Sequence, residues 1–343
     1  MSSVNWSIAS RVAGRMSGSY ALEDSYHFAR FATEAPQLVA RAAELASVET
    51  RLDWVGDPTV AVVTRRDWAD ANIAAFGRLM SAAEDKLGEG RGLGRRLASR
   101  LVGAEVGALV GVLARRVLGQ YELVLPSGDD DHGDTVMFVG ANVLWMERRH
   151  EFRPDEFRFW VALHECTHRL QFTGVPWLRG YFLGLIERLV EASTPEPGRM
   201  QRITTELREA ARSGRPVVDE AGIMGLLATP DQRRLIDDVQ ALMSLLEGHG
   251  HVVMDRIGAR VLVSQERMSR ILKTRRKDPR TAAFFRLTGL EMKMKQYEQG
   301  EQFIHGVERQ AGFEALDRAW IGPDHLPTLD EIRDPERWLA RVA

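Results

Sequence analysis

His164-Glu165-Cys166-Thr167-His168 sets two imidazoles four residues apart with a carboxylate directly after the first. A helix turns about 100° per residue, so positions four apart share a face, close enough to grip one tetrahedral ion. Glu165 is rotated about 100° away, which lets it miss the ion and reach a water bound to it as general base. The stretch therefore has to be helical, and this is the HExxH pattern of zinc hydrolases. The local sequence agrees. Pro154 suits a first helical position, Asp155 and Glu156 suit the positive end of the macrodipole, and Phe157, Trp160, Val161 and Leu163 supply an apolar body. A helix over 154–172 is expected, with the motif in its middle.

Two histidines leave zinc one protein ligand short of a catalytic site, which supplies three and keeps the fourth position for water. Glu247 is the first candidate. Thr229-Pro230-Asp231-Gln232 has the form of a capping box opening a long helix, on which Leu235, Val239, Leu242, Met243 and Leu246 mark the buried stripe. Glu247 falls on that stripe, where a carboxylate needs a partner or a metal. Gly248 and Gly250 flank it and leave room for a close approach by another helix, and His251 lies one turn on. Glu187, separated from His168 by eighteen intervening residues, is the rival, but its periodicity puts it on a non-apolar stripe with Gly180, Gly184, Arg188 and Glu191. The expected ligands are His164, His168 and Glu247, with Zn2+ as cofactor. His249, His251 and Tyr297 are candidates to steady an oxyanion beside the base Glu165. A buried salt bridge to an arginine is the structural alternative for Glu247.

The remaining chain sets bounds. At 343 residues, 44% hydrophobic and 27% charged, it can bury a sizeable core, and a net charge of −2 gives no overall argument for nucleic acid or anionic membranes. The single cysteine, Cys166, excludes an internal disulfide and reads as a packed small residue on the far side of the helix from the histidines. With no signal-like segment over residues 1–18, a cytoplasmic setting is expected. The apolar stretch Leu101 to Leu118 is interrupted by Glu105, Arg115 and Arg116, too early and too late for a membrane span. Its Gly103, Gly107 and Gly111 read instead as a smooth face for another helix. The run from Gly88 to Gly94 reads as a connector, Asp129-Asp130-Asp131-His132 as an exposed acidic turn, and the basic residues from Lys273 to Arg280 as a solvated face.

Periodicity predicts helices near 20–48, 66–86, 95–118, 177–192, 200–212, 230–257, 262–276 and 281–310 besides the motif helix. Tyr121 to Leu125 and Thr135 to Val139 read as a hairpin ahead of it, and in zinc peptidases an edge strand there pairs with extended substrate. The fold class is thus mainly α with a small β-hairpin, and the ligand set His164, His168 and Glu247 is of gluzincin type. A helical N-terminal region over 1–118 is expected to pack on a core over 119–343.

With these residues in view, the chain resembles the zincin-like metallopeptidase family often linked to biosynthesis of the deazaflavin coenzyme. The resemblance rests on Ala141-Asn142-Val143 through Glu147, Phe157 to Leu178 with the histidine motif, Gln240 to Asp255 with Leu246-Glu247-Gly248-His249, and Gly289 to Lys293 with Gln296-Tyr297. It implies a mainly helical zincin fold, a zinc ion, and a hydrolase of unassigned substrate, for which Arg169 after the second histidine is usual. The expected partner is a peptide or small-molecule substrate, with no nucleic acid and no membrane. A closed zinc site that merely staples two helices, or a partner-binding scaffold for coenzyme assembly, is the non-catalytic alternative.

Overall fold

The structure is a computed structural model describing residues 4–84, 93–122, 134–192, 230–276 and 291–343. Its contacts divide the chain into two compact units, one of residues 1–179 with 250–272 and one of residues 180–249 with 273–343. Residues on both sides of position 118 share the first unit.

In the first unit the elements in chain order are α1 (Trp6–Met16), α2 (Tyr26–Thr50), β1 (Thr59–Val63), α3 (Arg65–Glu84), α4 (Leu93–Leu113), β2 (Gly119–Glu122), β3 (Thr135–Val139), α5 (Gly140–His150) and α6 (Pro154–Gly174). The strands form one sheet in the order β1-β3-β2. β2 runs antiparallel to β3 with Gly119 opposite Phe138, as the expected hairpin required, with its first arm at Gly119–Glu122 rather than Tyr121 to Leu125. β1 adds a parallel third strand that the hairpin expectation lacked. β3 is the middle strand and is buried from Val136 to Val139, so its near-continuous apolar run fits a strand covered on both faces.

The glycine stripe of α4 is used as its spacing suggested. A Cβ on Gly103, Gly107 or Gly111 would lie 2.5, 2.3 and 2.7 Å from the carbonyl oxygens of Asn5, Ala9 and Ala13, so α1 sits directly on that face. Among the described residues no helix is long and apolar enough to cross a membrane.

α6 runs from Pro154, as its cap signals predicted, to Gly174. Its first-turn Glu156 accepts from Ser264 N at 2.8 Å and Ser264 Oγ at 2.6 Å, which ties it to the start of α9 (Gln265–Arg276). Arg158 donates to both oxygens of Glu147 on α5, at 2.7 and 3.0 Å, a buried bidentate pair that locks the angle between the two helices. On the far side of the helix Cys166 is fully buried, its thiol 3.7 Å from the Val39 carbonyl of α2. Burial pushes that thiol well above its ordinary pKa.

The second unit holds nearly all of α7 (Leu178–Ala192), the first part of α8 (Pro230–Val261), α10 (Glu291–Ala311), two short 3-10 segments, α11 (Leu329–Arg333) and α12 (Pro335–Arg341). α8 and α10 cross backbone on backbone, since a Cβ on Gly248 would fall 2.3 Å from the carbonyl carbon of Gly300. The chain end is fastened by a capping box of Thr328 and Glu331, by Glu331 paired with Arg341, and by Trp338, fully buried and edge-on to Phe303 at 5.3 Å. The expected helix at 200–212 and the first part of that at 281–310 lie outside the described residues.

Candidate metal centre

The mid-helix position of the motif gives His164 and His168 one face of α6. Their ring centroids are 4.5 Å apart and their Nε2 atoms 3.1 Å apart. Two nitrogens bound to one zinc at about 2.0–2.1 Å in tetrahedral geometry stand roughly 3.3 Å from each other, so the pair already has the span of a ligand edge. His168 Nδ1 is 2.9 Å from Oε1 of the fully buried Gln171. In the tautomer this contact selects, Nδ1 donates to the amide oxygen and Nε2 keeps its lone pair for a metal.

Glu247 and His251 lie one turn apart on the unbroken helix α8, each less than a tenth exposed. One ligand atom from each of His164, Glu247 and His251 falls within 4.8 Å of the other two. The His251 ring lies 4.8 Å from that of His164, tilted by 37°. A Cβ on Gly250 would sit 3.3 Å from ring atoms of both His164 and His168, so the absent side chain is what admits the imidazoles. Of the two flanking glycines, Gly250 thus serves the approach of α6, whereas Gly248 serves that of α10. The donor set of imidazoles and one carboxylate is the chemistry zinc selects, and these residues fit it.

The other predicted residues fall as follows. His168 is outside the 4.8 Å group but within 3.1 Å of His164. His249 is two residues from both Glu247 and His251, about 200° around the helix, and is not brought to the imidazole pair. It is buried and stacks on Phe313 at 6.0 Å with Trp320 edge-on at 5.3 Å. Glu187 is exposed on α7. The side chain of Tyr297 lies outside the described residues, as do the acidic turn 129–132 and the glycine run up to residue 92. In the basic segment Lys273 pairs with Glu301 at 3.2 Å, and residues 277–280 are outside the described residues.

Glu165 is 5% exposed and faces the first residue of the edge strand β2. A Cβ on Gly119 would come within 2.7 Å of Glu165 Oε1, so glycine there is what leaves space for the carboxylate. One turn further along α6, the fully buried Arg169 donates Nε and Nη2 to the two oxygens of Asp134, each at 2.6 Å, just before β3 begins. Nη2 also reaches the Val55 carbonyl at 2.6 Å, and the guanidinium lies 4.1 Å over Trp54. The charge after the second histidine is therefore spent inside the fold, docking the sheet on α6, and does not point at the imidazoles' partners. Asp134 and the strand's Tyr121 are coupled as well, since burial first and Asp134 second raise the pKa of that phenol.

Sequence reasoning overlooked Gln171 and Gly119, and it named His251 as an oxyanion candidate without placing it in one group with His164 and Glu247, as the structure does. Gln171 carried a usable signal, standing three residues after His168 on the same helix face. Gly119 carried none, because its neighbour Glu165 is distant in sequence.

A family model described as zincin-like metallopeptidase matches residues 4–339. A crystal structure of a candidate hydrolase with a novel fold from Chloroflexus aurantiacus superposes with a TM-score of 0.71 at 31% identity, covering 98% of each chain. No curated protein matches at a significant level. On its motif, its mainly helical fold and a match running nearly end to end, the chain belongs to the zincin-like metallopeptidase family.

Proposed function

We propose that the protein is a zinc-dependent hydrolase acting on peptide bonds, with His164, His168 and Glu247 as ligands and Glu165 as general base. The observation that carries this reading is the pair of Nε2 atoms 3.1 Å apart on one helix face, with the buried carboxylate Glu165 directly after the first and the Gln171 amide oxygen 2.9 Å from Nδ1 of the second. Zinc, when bound, supplies Lewis acidity toward a carbonyl and acidifies a water. The protein's residues do the rest. Glu165 Oε1, held under Gly119, takes the proton of the attacking water and passes it to the leaving amine. Gly119 begins the edge strand β2, on which an extended chain finds main-chain partners. Gly250, bare of a side chain, leaves the two imidazoles their room.

A second reading has its own support, because His251 shares the 4.8 Å group. With four protein ligands the site would be closed and the metal structural. Glu165→Gln separates the two: the hydrolase reading expects full zinc content with cleavage of an unfolded fluorescent casein reduced at least about 100-fold. Unchanged cleavage rejects the base. Wild type that holds zinc, cleaves nothing, and loses its metal in His251→Ala supports the staple. The link to deazaflavin coenzyme biosynthesis belongs to this proposal as a setting for the reaction, and a gene deletion that leaves coenzyme levels unchanged would remove it.

A further inference from the structure

Buried charge is expensive unless paired, and among the described residues nearly every buried charge is accounted for. Glu147 has Arg158, Arg169 has Asp134, Glu49 has Arg256 and Arg260, and Glu331 has Arg341. Glu165 and Glu247 belong to the candidate metal centre. Arg65 is the exception. It is 8% exposed, and among the described residues no carboxylate stands at ion-pair distance from it. Its Nε donates to Asn142 Oδ1 at 2.7 Å and its guanidinium lies 5.7 Å from the Tyr20 ring, while Nη1 and Nη2 have no hydrogen-bond partner among the described residues.

The surroundings make the vacancy of negative charge worse. Asn142 is in the first turn of α5, so the guanidinium lies against that helix's positive end. α5 has no side-chain cap and no acidic residue in its first turn, and Gly140, Ala141 and Asn142 are buried. Burial lowers the Arg65 pKa, Glu23 opposes that, and Arg115 adds to it, so a second guanidinium is in electrostatic range. Glu23 acts on Arg65 from beyond ion-pair distance, and its own Oε1 is buried without a hydrogen-bond partner. The place is the carboxyl end of the parallel strands β1 and β3, where open α/β sheets take ligands.

We propose that Arg65 and the first turn of α5 form a second ligand site, separate from the metal centre, that binds the carboxylate group of a small organic acid. With Nε engaged by Asn142, the two Nη atoms remain as a planar two-donor fork, the shape that matches a carboxylate edge. The nearby Glu23 disfavours a doubly charged anion and so selects against phosphate. Asn142 also donates to the carbonyls of Ala114 and Val117, which fixes the side chain that engages Arg65 Nε.

The test uses acetate as the probe, on full-length wild type, Arg65→Met, Arg65→Lys and His168→Ala, with chloride at equal ionic strength as reference. Binding is read by melting temperature and by saturation transfer to the acetate methyl. At about ten times Kd, acetate is expected to raise the wild-type melting temperature by roughly 2 °C, and phosphate by less. His168→Ala keeps the response, Arg65→Lys loses most of it for want of a fork, and Arg65→Met loses it while melting higher than wild type in chloride, relieved of a lone buried charge. Should Arg65→Met not fold, Arg65→Lys and saturation transfer carry the decision. The proposal is overturned by a wild type indifferent to acetate, by a response that survives in both Arg65 variants, by one that vanishes in His168→Ala, or by a larger response to phosphate.

Discussion

Replacing Gln171 by methionine keeps the volume of a fully buried side chain while removing the amide oxygen that lies 2.9 Å from His168 Nδ1. Two losses follow. The ring gives up a hydrogen bond worth about 1 kcal/mol net, and its proton is free to move to Nε2, where it blocks the lone pair a metal needs. Partners of this kind typically change metal affinity by about 10- to 100-fold, or roughly 1.4 to 2.7 kcal/mol. Gln171→Met should therefore weaken zinc by that factor in a competition titration against a chromophoric chelator at pH 7, with the folded state intact by circular dichroism. Gln171→Glu, which still accepts from Nδ1, should bind zinc at least as tightly as wild type. An affinity of Gln171→Met within about twofold of wild type would refute the claim that the amide sets the tautomer.

Three further expectations concern the frame of the site. Asp134→Ala strands the fully buried Arg169 without its carboxylate and should cost about 3 kcal/mol in denaturant unfolding, whereas an exposed-pair effect would be under about 1 kcal/mol. Gly107→Ala puts a Cβ 2.3 Å from the Ala9 carbonyl oxygen and must part α1 from α4, lowering stability by about 1–3 kcal/mol; an unchanged melting temperature would show that this crossing is loose. Glu49 is depressed below its ordinary value of 4.5, burial alone raising it but the hydrogen bonds and charges of Arg256 and Arg260 prevailing. Its pairing thus stabilises the fold above the unfolded-chain value and is lost as pH falls through the lower folded one, so Glu49→Gln should flatten the acid limb of stability below about pH 4.5.

How far the sequence spoke for itself depended on whether a residue's meaning was local. The motif helix declared both its start at Pro154 and its buried body, because capping and periodicity act over a few residues. The start of α8 at Pro230 was legible for the same reason. The glycine triplet of α4 was legible because its spacing alone defines a bare face, although not that α1 would cover it. β1 was passed over: Thr59–Val63 is a short apolar run whose role as a strand depends on pairing with β3, some seventy residues away. α5 was missed because Gly140 opens it without a cap, and what favours it is the buried Asn142 bridging Arg65 and the end of α4. At the site, spacing gave the two imidazoles, but the partners of Glu165 and the facing of His249 come from packing of Gly119 and of Phe313 with Trp320. Arg169 looked like an intrusion in sequence and is a fully buried tie between helix and sheet in space.

The most direct measurement is metal content by mass spectrometry of protein purified without added zinc, for wild type beside His168→Ala and Glu247→Ala. One zinc per wild-type chain, and less than about a tenth of that in either variant, is the predicted result. A wild type that takes up no zinc even when it is supplied, or a Glu247→Ala variant that holds it undiminished, would contradict a metal gripped by α6 and α8.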